Sequence, residues 1–328
     1  MNPKILVTGA SGFIGQAVTK ALLRAAYPVV ATTRQPSLPP FAVEINGCGR
    51  LHWGMVGSIN GHTAWNETLQ GVSTVVHCAA RAHISNDQAP DTVSAYREVN
   101  VAGTLNLAQQ AIAAGVGRFI FLSSIGVNGK QSTKPFTETD TPNPQDAYAA
   151  SKLEAEQLLL TLALKSETEF VIIRPPLVYG PSAPGNFGRL VRFVQSGWPM
   201  PLGAIHNRRS LVGIDNLVSL ILLCADRAQS RPAANEVFVV ADSEDVSTAT
   251  LVRKIAQAAG CFNRMLPIPA TFLRATASML GKETLALSLL GDLQVNASKA
   301  TTLLGWRPLL NLDQQLALIF NQNSNFKK

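Results

Sequence analysis

Ile5-Leu-Val-Thr-Gly9-Ala-Ser-Gly12-Phe-Ile-Gly15 is the stretch whose reading decides the fold. Ile5, Leu6 and Val7 make a short apolar run, the signature of a buried strand, and three glycines interrupt it. Apolar residues then recur at Val18, Ala21, Leu22 and Ala25, the spacing of one helix face. Strand, glycine turn and helix together form the unit that seats a nucleotide pyrophosphate on a helix N-terminus. Gly9 suits the tight turn, Gly12 lets backbone N–H groups approach phosphates, and Gly15 permits close helix–strand packing. Ser11, Phe13 and Ile14 complete the loop. Its G-x-x-G-x-x-G spacing differs from the G-x-G-x-x-G fingerprint, so an ordinary turn is the alternative.

Working outward, Val29–Thr33 is a second strand followed at once by Arg34. An acidic residue there would hold the ribose 2′-OH of NAD, whereas an arginine suits the 2′-phosphate of NADP. No Asp or Glu occurs until Glu44, so NADP is favoured over NAD; the alternative is an arginine that merely closes a strand. Residues 36–61 are irregular apart from a short third strand at Leu51–Val56. A fourth strand, Thr74–Ala80, ends in Ala79 and Ala80, small residues past which a ligand can approach. His77 reads as a packed strand residue; His62 and His83 have no recognisable partner.

A helix over Asp91–Gly115, a strand over Arg118–Ser124, a long helix over Gln145–Lys165 and a strand over Glu169–Arg174 continue the alternation. The pattern predicts an α/β fold, a doubly wound parallel sheet, in an NAD(P)-binding domain over residues 1–175. Beyond Pro175 proline and glycine pairs mark loops. Residues 176–328 read as a smaller, mostly helical substrate-binding domain closing over the strand ends, with 236–242 returning to the sheet.

Composition narrows the class. With 46% hydrophobic and 15% charged residues the chain suits a compact globule. Cys48, Cys78, Cys224 and Cys261 lie far apart and form no C-x-x-C pair, so neither a zinc site nor a disulfide framework is expected. A strand so near the start leaves no room for a signal peptide, and a reducing cytoplasm is the expected compartment. No apolar run reaches the ~18 residues of a membrane span. The nearest, Thr271–Leu290, is broken by Arg274, Gly281, Lys282 and Glu283; it reads as an amphipathic helix pair over a core, with a membrane-surface role as the alternative. The net charge of +7 comes from scattered basic residues, adjacent at Arg208-Arg209, Arg253-Lys254 and Lys327-Lys328. An anionic cofactor and substrate explain this excess better than nucleic acid.

Tyr148 and Lys152 stand four apart on the long helix, hence on one face. A tyrosine with a pKa of about 10 is a poor base at neutral pH, and lowering it by about three units takes about 4 kcal/mol. A nearby ammonium, with a cationic nicotinamide ring, favours the phenolate. Ser124, delivered by the fifth strand to its C-terminal end, can bond the same substrate oxygen. Hydride would pass between substrate and nicotinamide while Tyr148 moves the proton. Asn100 would fix backbone near the cofactor. An isolated Tyr-x-x-x-Lys is usually an amphipathic helix face; the order of glycine loop, serine strand and Tyr/Lys helix argues for a site.

These motifs identify the chain as similar to the extended short-chain dehydrogenase/reductases, in the nucleotide-sugar epimerase/dehydratase branch. The matches run from Thr8–Gly15, His77–Ala80, Ser123-Ser124 with Gly129 and Tyr148–Lys152 to Arg174–Pro181, Arg209–Leu217 and Leu304–Pro308. The resemblance implies Ser124, Tyr148 and Lys152 in catalysis, with Asn186 and Arg209 on the diphosphate of a UDP-sugar. It also implies a homodimer built from the helices near 92–115 and 145–165. Dehydratases of this branch carry Asp-Glu after the catalytic Ser/Thr; here Ile125-Gly126 stand there, which disfavours dehydration. Ser58 replaces an acid that often contacts adenine. Leu289-Leu290 occupy the place of a diphosphate-clamping arginine before Gly291-Asp292, so the phosphate site departs from the pattern.

The expected activity is redox chemistry at C4 of a UDP-hexose, as in the bacterial polysaccharide-cluster subgroup. It is either reversible 4-epimerisation or net reduction of a 4-keto-6-deoxy sugar nucleotide; Arg34 favours reduction. A dihydroflavonol- or steroid-like ketoreductase and a non-catalytic NADP-binding regulator are the alternatives. The Asn186–Arg189 run and Arg209 speak against the first, the intact Ser124, Tyr148 and Lys152 against the second.

Overall fold

Five strands are buried along nearly their whole length, which is why they appear in the sequence as continuous apolar runs. The computed structural model describes residues 2–34, 50–82, 91–262 and 264–324; Glu44, Cys48, His83, Lys327 and Lys328 lie outside the described residues. In chain order, β1 (Lys4–Thr8) leads through α1 (Phe13–Arg24) to β2 (Val29–Thr33), β3 (Leu51–Met55) and β4 (Val72–His77). Then come α2 (Thr92–Arg97), α3 (Gly103–Ala113), β5 (Arg118–Leu122), α4 (Ala147–Ala163) and β6 (Glu169–Arg174). A short pair, β7 (Leu177–Tyr179) and β8 (Leu211–Gly213), brackets α5 (Gly185–Gln195); α6 (Ile214–Ala225) and β9 (Val237–Val239) follow. The described chain closes with α7 (Thr248–Ala258), α8 (Ala270–Met279), α9 (Glu283–Leu290), α10 (Ser298–Leu304) and α11 (Leu312–Ser324).

The sheet is parallel, in the order β3-β2-β1-β4-β5-β6-β9. Ile5 pairs with both Val29 and Thr74, so the order reverses between β1 and β4, the crevice where open α/β sheets take ligands. The expected return of the chain is met by β9, with Ile173 opposite Phe238. One face packs under α1 and α6 through Val18, Leu22, Leu217 and Ile221. The other packs under α3 and α4 through Leu107, Ala111, Ala155 and Leu159. A third core, around Phe187, Leu251, Ile255 and Leu316, holds the C-terminal helices together.

Several expected elements stop early or break, among them the strand expected over Arg118–Ser124, which ends at Leu122. β4 ends at His77, whose partner Thr8 is the last residue of β1. Residues 78–80 then leave the ladder. The helix expected over 91–115 is interrupted by a π-helical turn at Glu98–Ala102, beside Gly103, where an added Cβ would lie 2.6 Å from the Ile59 side chain. Such widened turns relieve or exploit local crowding, and this one carries the buried Asn100. His77 is a satisfied core histidine: Nδ1 meets Thr8 Oγ1 at 2.6 Å and Nε2 meets Thr104 Oγ1 at 3.0 Å.

Candidate active site

A cleft of about 970 Å³ opens at the C-terminal ends of β1, β4 and β5, with the C-terminal segments as its far wall. Gly9, Gly12, Phe13, Ile14 and Gly15 line one side, together with Cys78 and Ala80; Ser124, Tyr148 and Lys152 line the floor; Asn186 and Arg209 face them. Four residues expected at the site are off this lining. Ser11 is exposed, Arg34 is exposed at the end of β2, and Ala79 packs its backbone behind Gly9. Asn100 acts on backbone instead: Oδ1 accepts from Arg81 N at 2.8 Å, and Nδ2 donates to Arg81 O and Ser151 Oγ, each at 3.0 Å. That commits its amide to shaping the wall after β4.

The glycine loop fits a dinucleotide pyrophosphate. Gly9 has φ +66°, and a Cβ there would stand 2.8 Å from Ala79 Cα. A Cβ on Gly15 would meet Gly9 O at 2.1 Å, so both positions demand glycine for the turn to lie so close to the sheet. α1 has no side-chain cap at its N-terminus and no acid in its first turn, which leaves its N–H groups and positive dipole end directed at an anion.

Asp146 starts α4: its carboxylate accepts from Ala149 N at 2.8 Å, which moves the first helical residue to Ala147. The next turns set Tyr148 against the cleft and bury Lys152. Lys152 Nζ donates to Leu122 O at 2.8 Å and lies 4.4 Å from the Phe121 ring centroid. Burial lowers its pKa to about 8, against the opposing pull of Cys78 and Glu156. Burial likewise pushes the Cys78 thiol up to about 12. Tyr148 is enclosed beside the cleft. Enclosure raises its pKa, with Asp146 and Tyr96 adding to the effect, so the protein's own residues do not make a phenolate there. Desolvation of the phenol is the largest cause.

Ser124 caps the short turn after β5: its Oγ accepts from Gly126 N at 3.1 Å, leaving its own O–H as a donor. Ile125 is buried against Val239 and Leu293, and Gly126 has no side chain, so neither brings an acid to the cleft. On the far wall, Arg209 is fixed by Nη1 donating to Gly291 O at 3.0 Å and by paired backbone bonds to Val246. Asn186 lies in the first turn of α5, whose N-terminus, like that of α1, has neither side-chain cap nor acid.

Sequence reading missed several residues that the fold brings here. Tyr96 lines the cleft and meets the Tyr148 ring edge-on at 6.1 Å. Lys130 also lines it and pairs with Asp146 at 3.1 Å. Beneath the floor, Glu156 binds Arg174 through Nε at 3.0 Å and Nη2 at 2.5 Å and accepts from Ser123 Oγ; Arg174 Nη1 reaches Asn128 Oδ1 at 3.0 Å. The only sequence signal for this network was a glutamate four residues after Lys152 on a sheet-facing helix.

The profile of the NAD dependent epimerase/dehydratase family matches residues 5–241. The chain belongs to that family. Among curated relatives of this epimerase/dehydratase chain, UDP-glucose 4-epimerase of Vibrio cholerae is 43% identical over 332 residues, spanning 99% of this chain and 98% of its own. N-acetyl-alpha-D-glucosaminyl-diphospho-ditrans,octacis-undecaprenol 4-epimerase of Escherichia coli O157:H7 is 30% identical, spanning 86% and 78%. The fold matches a solved UDP-glucuronic acid 4-epimerase from Bacillus cereus in complex with NAD, with TM-score 0.77, 23% identity and coverage of 99% and 100%.

Proposed function

We propose that the protein interconverts a UDP-hexose and its C4 epimer by means of a nicotinamide dinucleotide. The observation that carries this reading is the convergence of Ser124, Tyr148 and Lys152 in one cleft between the glycine loop and the Asn186–Arg209 wall. The dinucleotide, held by the loop, supplies reversible hydride exchange at C4. Tyr148 Oη takes and returns the proton of the C4 oxygen, and the Ser124 O–H donates to that oxygen. Lys152, held by the Leu122 carbonyl, brings positive charge to the reacting end of the cleft. Arg209 and the N-terminus of α5 hold the substrate diphosphate, which suits a guanidinium. The lack of any acid at Ile125-Gly126 fits epimerisation better than loss of water.

The name of the Vibrio cholerae relative supports UDP-glucose and UDP-galactose as the first pair to assay. Purified protein given either sugar nucleotide should produce the other without net change in nicotinamide absorbance. Stoichiometric loss of NADPH on a UDP-4-keto-6-deoxyhexose supports instead net reduction, the reading that Arg34 favours; neither activity refutes both. We assign Arg34 to the 2′-phosphate of NADP, so R34A should lose preference for NADP over NAD. The same reading gives residues 1–175 to the dinucleotide and 176–328 to the sugar nucleotide, with β9 lent back to the sheet. It also assembles a homodimer through α2, α3 and α4, in the cytoplasm.

A further inference from the structure

No Asp or Glu occurs between Glu169 and Asp215, nor between Asp245 and Glu283. These two acid-free stretches meet in space. Met200 N donates to Arg264 O and Leu266 N to Met200 O, both at 2.8 Å, so the chain after α5 runs alongside the chain leading into α8. α8 turns Ala270, Leu273 and Ala277 to the core, and at seven-residue spacing Phe272 and Met279 point away from it. The result is an outward strip of large apolar side chains: Trp198 is 69% exposed, Phe262 78%, Phe272 61% and Met279 86%, with Leu266 and Leu280 also exposed. Exposed Arg192, Arg264, Arg274 and Lys282 come from the same segments. The next acid along the chain, Glu283, accepts a hydrogen bond from Ser278 Oγ at 2.6 Å.

Apolar anchors interspersed with basic residues, on two stretches that themselves carry no acid, match the requirements of an anionic lipid surface. Among the described residues no helix is long and apolar enough to cross a membrane. A second copy fits the strip poorly: a two-fold contact presents the same patch on both sides, and here would oppose like charges without an acid to separate them.

We propose that the Trp198–Leu266–Met279 strip docks the protein onto an anionic phospholipid bilayer, with α8 lying in the interface. Leu287 and Ser288 of the adjoining α9 line the cleft, so the docked segment neighbours the site. Docking is independent of the substrate assigned above and is measured without it.

The test is co-sedimentation of the full chain with phosphatidylcholine vesicles, with and without phosphatidylglycerol, at low and high salt. The wild type should pellet with anionic vesicles at low salt and be released by salt. F272E/M279E should lower partitioning about tenfold or more, from two lost apolar anchors. R264Q/K282Q should abolish the preference for anionic over neutral vesicles. Both variants change exposed side chains and should keep the wild-type turnover of a soluble sugar nucleotide. Wild-type protein remaining in the supernatant with anionic vesicles, or F272E/M279E pelleting like wild type, overturns the proposal. So does conversion of a dimer to a monomer by F272E/M279E in sedimentation velocity, which would make the strip an interface between copies.

Discussion

The buried ion pair under the floor of the cleft offers a sharp test of how the site is supported. Glu156 and Arg174 are nearly solvent-free and share three hydrogen bonds, while Glu156 also holds Ser123 and Arg174 holds Asn128. E156Q leaves a guanidinium buried without its carboxylate, and R174M leaves the carboxylate with Ser123 alone. Removing one partner of a buried pair costs about 3–5 kcal/mol, so independent effects would sum to about 6–10 kcal/mol. The double variant E156Q/R174M buries no charge, and its Gln still reaches Ser123. Its cost should be about 2–3 kcal/mol, the loss of hydrogen bonds and packing, and thus less than either single change. Urea denaturation of the four proteins at neutral pH, followed by circular dichroism, closes the cycle. Because Ser123 precedes Ser124, the single variants should also lower kcat more than they raise KM. Single-variant effects that add within about 0.5 kcal/mol would refute the coupling.

Three further outcomes are expected. Y148F should lower turnover by about 10²–10⁴-fold while dinucleotide binding, followed by calorimetry, survives; near wild-type turnover would remove Tyr148 from proton transfer. G15A puts a Cβ 2.1 Å from Gly9 O. The loop must therefore shift, and dinucleotide affinity should fall about tenfold or more, with Tm lowered as well. His77 is held to a pKa of about 3 by burial and then by Lys152, well below its ordinary 6.5. The unfolded chain therefore binds the extra proton first, and stability is lost as pH falls from 6.5 towards 3, at up to about 1.4 kcal/mol per unit. H77Q should flatten this part of the urea midpoint against pH; identical slopes would contradict the assignment.

What was legible in the sequence was what repeats along the chain. β1, β4, β5 and β6 are buried on both faces and so read as apolar runs, and the alternation with helices gave their parallel order. Tyr148 and Lys152 were legible because four residues is one helical turn, and Ser124 because it follows the end of an apolar strand. The Glu156–Arg174–Ser123–Asn128 network was not, because its members meet across turns and strands that no local period reports. α4 obscures the matter further, since its buried face mixes Lys152 and Glu156 with Ala155 and Leu159. Asn100 was placed in the right region without its partner, Arg81, since a π-helical turn leaves no mark in the apolar spacing. Tyr96 and Lys130 reach the cleft only because separate segments converge beside α4.

The protonation of the Tyr148–Lys152 pair links these layers. Read from spacing alone, a lysine one turn away makes a tyrosine acidic. In the fold, burial raises Tyr148 and lowers Lys152, so each is shifted towards its neutral form. At neutral pH the phenol therefore keeps its proton. In that state it is ready to donate to a keto oxygen but not to accept from a hydroxyl. Epimerisation needs both, in alternation. A positive charge beyond the lysine's must then accompany proton removal, and the oxidised nicotinamide carries one whereas the reduced form does not. Burial of the pair would thus make the tyrosine's proton affinity sensitive to the charge of a nicotinamide ring held beside it. A better-solvated cleft would screen that dependence, leaving the tyrosine near its ordinary pKa and indifferent to which half of the reaction was under way.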